Sequence, residues 1–197
     1  YKTEYMGWVT QHGGLQTACE EAAYKVVTDV TNDVMFATGT INPVNTKEDD
    51  VWKIAYVNIR RANVIGFTNI ADWGFRYFEQ QKSGHLVTIS SVGGTRGSGI
   101  APAYNASKAY QINYMEGLRQ KATKSPYSIY TTDIRPGFVD TAMAKGEGLF
   151  WVTPVDKAVK QIKKAISKKK KVAFISKRWR YVTILFRLLP SAIYCRI

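Results

Sequence analysis

Tyr104 and Lys108 stand four residues apart in Tyr104-Asn-Ala-Ser-Lys108, a spacing that puts both side chains on one face of a helix. A free phenol has a pKa of about 10, too high for ready proton exchange at neutral pH. A cation about 4 Å away contributes roughly 4 kcal/mol at an effective dielectric near 20, enough to draw a phenol toward neutrality before desolvation takes its share. Such a pair can therefore serve as general acid and base. Alone it carries little weight, because twelve tyrosines in a lysine-rich chain would produce such a pair by accident.

The surroundings add chemistry. Leu86-Val-Thr-Ile89 reads as a strand running into Ser90-Ser-Val-Gly-Gly94, and Ser91 lies thirteen residues before Tyr104. A hydroxyl at the C-terminal end of a parallel strand faces the crevice where open α/β sheets bind ligands. There it can hydrogen-bond a carbonyl oxygen as charge develops on it. For Ser91 taken by itself, a serine satisfying local backbone is the simpler reading. Another strand ends in Asp133-Ile-Arg-Pro-Gly-Phe-Val-Asp-Thr141, with a tight Pro136-Gly137 turn and a downstream hydroxyl.

These residues need elements to hold them, and β and α signals alternate along the chain. Short apolar or β-branched runs at Lys25-Val-Val-Thr28, Val34-Met-Phe-Ala37, Leu86–Ile89, Ile129–Ile134 and Val172-Ala-Phe-Ile175 have the continuous character of buried parallel strands. Helical stretches are expected at about 48–80, bent near Gly66 or Gly74, and at about 104–122 and 154–167. Thr153 is the expected cap of the last, with Pro154 in its first turn. The pattern predicts one α/β domain over residues 1–197, with a basic and apolar extension at 177–197. The stretch 140–148 has loop composition with Gly146 and Gly148 as hinges, and is either a lid or a plain surface loop.

Ile89-Ser-Ser-Val-Gly-Gly94, Tyr104-Asn-Ala-Ser-Lys108 and Ile134-Arg-Pro-Gly-Phe-Val-Asp-Thr141 occur in order and at suitable spacing. Together they resemble the catalytic half of a classical short-chain dehydrogenase/reductase. Ala62-Asn-Val-Ile-Gly66 resembles the family's helix motif with its catalytic asparagine, and Thr28-Asp-Val30 its adenine-contacting strand end. Phe36-Ala-Thr-Gly39 stands where the family has an Asn-Asn-Ala-Gly turn. The resemblance covers roughly residues 25 to 176.

It implies a Rossmann-like, doubly wound parallel sheet in three α/β/α layers, and hydride transfer between the nicotinamide of NAD(P) and a small-molecule alcohol or carbonyl substrate. Tyr104 would exchange the proton, Ser91 would orient the substrate oxygen, and Lys108 would tune the tyrosine and bind the nicotinamide ribose. Asn63 would hold a relay water. Asp29, Val30, Gly39, Pro136, Gly137 and Thr141 would border the dinucleotide together with Tyr104 and Lys108. No metal is implied. A homodimer or homotetramer built on the two long helices is expected, and the many basic residues favour NADP over NAD.

The front of the chain departs from the family. No Thr-Gly-x-x-x-Gly-x-Gly turn is present, and Gly13-Gly14 lacks its spacing. Between the runs ending at Val30 and starting at Val34 lie three residues, where a parallel crossover needs about a dozen. Either segments are missing from the chain, or the protein is a cofactor-free binding or scaffold relative.

Composition bounds the rest. With 197 residues, 45% hydrophobic and 22% charged, collagen-like, disordered and disulfide-scaffold classes are excluded. Cys19 and Cys195 sit far apart and His12 and His85 are isolated, so no metal-ligand spacing exists and a reducing, cytoplasmic compartment is expected. Nothing in Tyr1-Lys-Thr-Glu-Tyr5 resembles a signal peptide. The net charge of +13 gathers in the last third. Such a patch suits nucleic acid, anionic lipid or a phosphorylated cofactor, or is a solvated face. No nucleic-acid module is present, so no nucleic-acid partner is expected. Tyr181-Val-Thr-Ile-Leu-Phe186 is too short to span a bilayer, leaving a core helix, an oligomer contact or peripheral membrane contact as readings.

Overall fold

A computed structural model describes residues 34–37, 61–141 and 150–196. Strands β1 (Val34–Ala37), β2 (Ser83–Ile89), β3 (Ser128–Pro136) and β4 (Val172–Ile175) form one sheet in the order β1-β2-β3-β4, every pair parallel. Ala37 aligns with Thr88, Ile89 with Ile134, and Pro136 with Ile175, so the C-terminal ends of all four strands gather at one edge of the sheet.

A π-helical turn (Arg61–Gly66) leads into α1 (Phe67–Gln81). Phe67, Ala71, Phe75 and Phe78 recur at helical spacing and are buried. They join Leu86 and Ile129 of the sheet and Met115, Leu118 and Ala122 of α2 (Pro102–Lys124) in one apolar cluster. α3 (Val155–Ser167) buries Ala158, Val159, Ile162, Ala165 and Ile166 with Val87, Ile89, Ile134, Ala173 and Ile175 in a second cluster. Leu86 and Val87, adjacent on β2, belong to different clusters, as successive strand residues facing opposite ways must. The sheet is therefore covered on both faces: three layers, α/β/α. Each fully buried Phe or Ile contributes about 1.5–3 kcal/mol.

β1 and β4 have the bounds expected from their apolar runs, and at Gly66, whose backbone is helical, the π-helical turn passes directly into α1. A single residue, Lys82, turns α1 into β2 by adopting the left-handed conformation (φ 63°). The capping expectation is corrected. Pro154, not Thr153, occupies the N-cap of α3, and no side chain caps it. Thr153 is committed elsewhere: its amide donates to the Phe138 carbonyl (2.9 Å) and its carbonyl accepts from Asp140 (2.8 Å), a bridge beside Val139.

The 177–197 extension contains two helices, α4 (Trp179–Leu188) and α5 (Ser191–Tyr194). Among the described residues no helix is long and apolar enough to cross a membrane. The strand expected at Lys25–Thr28, the glycines at 13 and 14, the start of the first long helix and most of the 140–148 loop lie outside the described residues.

Candidate functional site

β2 ends at Ile89, and its path continues through Ser90, whose amide donates to the Ile134 carbonyl (2.8 Å). Ser91 then caps a short 3-10 turn (Val92–Thr95), its Oγ accepting from the Gly93 amide at 3.0 Å. The turn lies directly on α2. A Cβ at Gly94 would sit 2.6 Å from the Lys108 carbonyl carbon and 2.8 Å from the Ala109 nitrogen, so only glycine permits this approach. Asn105 Nδ2 braces the same turn by donating to the carbonyls of Gly93 (2.6 Å) and Arg96 (3.2 Å).

Gly93 lies between the two candidate groups. A Cβ there would lie 3.4 Å from Ser91 Oγ and 3.6 Å from Tyr104 Cε1. The serine hydroxyl and the tyrosine ring thus border one small volume. Lys108, one turn along α2, is buried, with Nζ 5.9 Å from the Tyr104 ring centroid. Burying an ammonium is costly without acceptors. Here the Ile89 carbonyl (3.1 Å) and Gln111 Oε1 (3.0 Å) accept from it.

Asn63, fully buried in the π-helical turn, completes the arrangement. Its Nδ2 donates to Ser107 Oγ (3.0 Å), and Ser107 in turn donates to the Tyr104 carbonyl (2.7 Å). Its own carbonyl accepts from Gln111 Nε2 (3.0 Å). Asn63 Oδ1 is a buried acceptor with no protein partner, which suits a bound water. Tyr104, Ser107, Asn63, Gln111 and Lys108 form a continuous polar chain.

On the neighbouring strand, Pro136 ends β3 and the Gly137 amide donates to the Ile175 carbonyl (2.5 Å). A Cβ at Gly137 would fall 1.9 Å from Trp179 Nε1, so the indole of α4 occupies the space a side chain would need. Trp179 also gathers Phe138 (5.5 Å), Phe150 (5.1 Å) and Trp151 (6.1 Å) into an aromatic cluster beside the strand ends. Below it, the buried Asp133 carboxylate accepts from Ser90 Oγ (2.5 Å) and Arg135 Nε (2.7 Å). Among the described residues no cluster of His, Cys, Asp or Glu could hold a metal ion.

The loop between Ser91 and Tyr104 is also fastened from the far end of the chain. Arg96 Nη1 donates to the carbonyls of Phe186 and Leu189 (the latter 2.5 Å), at the C-terminal end of α4, and Nη2 donates to Ser191 Oγ (3.3 Å). Its guanidinium lies 4.1 Å over the Tyr194 ring, whose hydroxyl donates to the Gly97 carbonyl (2.6 Å). A cation meeting the last carbonyls of a helix is favourable for charge as well as hydrogen bonding.

Of the expected site residues, Asn63, Ser91, Tyr104 and Lys108 come together, with Pro136 and Gly137 on the adjacent strand end and Thr141 four residues beyond Gly137. Asp29, Val30 and Gly39 lie outside the described residues. Sequence reasoning missed Gln111, Ser107, Asn105 and Arg96. Gln111 stands seven residues after Tyr104 and three after Lys108, so helical spacing alone could have placed it on the same face.

A family model described as short chain dehydrogenase matches residues 9–149. The chain belongs to the short-chain dehydrogenase family. An uncharacterized oxidoreductase of Staphylococcus haemolyticus is 28% identical over 148 residues, covering 64% of this chain and 61% of that protein. The chain thus spans less than two thirds of this curated relative. A short chain dehydrogenase from Burkholderia cenocepacia, solved with NADP, superposes with a TM-score of 0.63 at 16% identity, covering 90% of this chain and 73% of that one. A short chain dehydrogenase/reductase from Burkholderia phymatum, solved with NAD, gives 0.58 at 16% identity over 78% and 64%. At such identities the likeness establishes the Rossmann-like fold of this short-chain dehydrogenase.

Proposed function

We propose that this short-chain dehydrogenase interconverts a small alcohol and its carbonyl compound, using NAD or NADP. The observation that carries the reading is the convergence of Ser91 Oγ and the Tyr104 ring beside Gly93, with the Lys108 ammonium one helical turn behind. The donor set fits the nicotinamide-ribose half of a dinucleotide: an ammonium at the C-terminal end of a parallel strand, flanked by hydroxyls, with an unsatisfied buried acceptor on Asn63 nearby. Solved structures of the fold hold NADP and NAD respectively, which supports the cofactor class. The basic surplus of +13 favours the phosphorylated form.

When bound, the dinucleotide supplies or accepts the hydride. The chain's residues do the remainder. Ser91 hydrogen-bonds the substrate oxygen and stabilises the negative charge that develops there. Tyr104 gives its proton to that oxygen in reduction and takes it back in oxidation. Lys108 favours the phenolate form and holds ribose hydroxyls. Asn63 Oδ1 retains a water that passes protons onward to solvent. Ile65 in the π-helical turn and Trp73 and Tyr77 on α1 stand exposed, which supports a homodimer or homotetramer built on this segment.

Tyr104→Phe tests the assignment. It removes one hydroxyl and is expected to lower kcat by about 10²–10⁴-fold, with the affinity for NADPH, read by nicotinamide fluorescence, nearly unchanged. Near-normal turnover in that variant overturns the proton-donor role. Loss of NADPH and NADH binding by the unaltered chain would favour the cofactor-free reading.

A further inference from the structure

α4 presents two opposed faces. Trp179, Val182, Thr183 and Phe186 turn toward the body, while Tyr181, Ile184, Leu185 and Leu188, spaced as one helical stripe, are 74%, 47%, 56% and 75% exposed. A core helix would hide the second stripe, and a solvated helix would replace it with polar residues. Its surroundings carry a single sign of charge. Lys177, Arg178, Arg180, Arg187 and Arg196 are all exposed, and no acidic residue occurs from 177 to 196. Arg180 and Arg187, seven residues apart, run along the flank of the stripe.

We propose that the stripe Tyr181, Ile184, Leu185 and Leu188 docks on a lipid bilayer surface that contains anionic headgroups. An apolar stripe beside a cationic flank is the arrangement of an interfacial helix, its apolar side chains entering the acyl boundary and its cations meeting lipid phosphates. Charge decides between this occupant and a second copy of the chain. An isologous contact through this face would set the Arg180 and Arg187 flank against the same flank of a second copy, with no acidic partner in the segment. Docking also has a consequence for position. Arg96 grips the carbonyl end of α4, so the loop before Tyr104 is held within about one helix diameter, roughly 10 Å, of the lipid.

The test is co-sedimentation of the full chain with vesicles of phosphatidylcholine alone and of phosphatidylcholine mixed with phosphatidylglycerol. Binding to the mixed vesicles is expected, and it weakens as salt rises. Leu185→Gln/Leu188→Gln should lower the partition coefficient at least tenfold, as removal of two buried leucines from lipid requires, with the melting temperature unchanged. Arg180→Gln/Arg187→Gln should lower it about fivefold per charge on the mixed vesicles only. If the leucine pair disturbs the helix by circular dichroism, the arginine pair decides. Absence of binding to anionic vesicles overturns the proposal, as does binding that neither pair weakens. So does self-association that the leucine pair abolishes while vesicle binding is nil.

Discussion

α2 and α4 invert one another. α2 takes polar groups inside: Asn105, Ser107, Lys108 and Gln111 are buried. α4 leaves apolar groups outside, with Tyr181, Ile184, Leu185 and Leu188 exposed. Both departures run against the usual sorting of residues by polarity, and each has a cost. In α2 the cost is offset within the chain, because Ile89, Gln111, Asn63 and the Gly93 and Arg96 carbonyls supply partners. In α4 nothing within the described residues covers the stripe, which is the observation behind the docking proposal. The inward polar groups of α2 are satisfied by neighbours in the chain, and the outward apolar groups of α4 are not covered by any described residue.

The comparison can be broken by measuring what each buried or exposed group contributes. The largest effect is expected at His85, a buried polar residue of β2 whose Nε2 pairs with Thr132 Oγ1 (2.7 Å). Burial, aided by the Lys169 ammonium, lowers its pKa to about 4. The unfolded chain therefore takes up a proton from about pH 6.5 downward, while the folded one resists until about 4. Stability is full above pH 6.5 and falls between there and 4, by at most about 3 kcal/mol. Urea titrations across that window should show the loss, and His85→Gln should flatten it. An unchanged slope would mean that the imidazole is accommodated in its charged form.

Next in size is Gln111→Leu, which strips a donor from the Asn63 carbonyl and an acceptor from Lys108. A destabilisation of about 1–3 kcal/mol is expected by urea denaturation. Turnover should fall as well, and Gln111→Glu should restore the acceptor for Lys108 though not the donor for Asn63. A neutral Gln111→Leu would show that the polar chain beneath the site is ornamental. The smallest effect is expected at Arg96→Met, about 1 kcal/mol in global stability. Its signature is local: faster hydrogen exchange and proteolysis in 177–196, while amides of β2 and β3 keep their protection. Uniform loss of protection would place the tail inside the cooperative core.

Sequence patterning revealed much of the body because each element there repeats a local rule. Continuous β-branched runs marked β1 and β4, and the four-residue step from Tyr104 to Lys108 placed two groups on one face before any coordinates. The Thr153 cap failed because α3 starts one residue later, with Pro154 at its N-cap, after Thr153 has bridged through its backbone to Phe138 and Asp140, residues distant in local pattern. Arg96 was illegible for the same reason. Its partners are main-chain carbonyls 90 and 93 residues away, and a carbonyl leaves no mark in the residue alphabet. The 177–196 stretch read correctly as mixed basic and apolar, yet composition could not say which of its apolar side chains face inward.

Synthesis on the ribosome gives the Arg96 contact a particular timing. Translation delivers Arg96 long before Phe186 and Leu189, so the nascent chain can pair its strands while the segment ahead of Tyr104 still lacks its fastening. A product arrested before residue 186 would lack both carbonyls that accept from Arg96, and with them this fastening of the loop to α4. A single guanidinium thus ties the segment ahead of Tyr104 to a part of the chain made some ninety residues later.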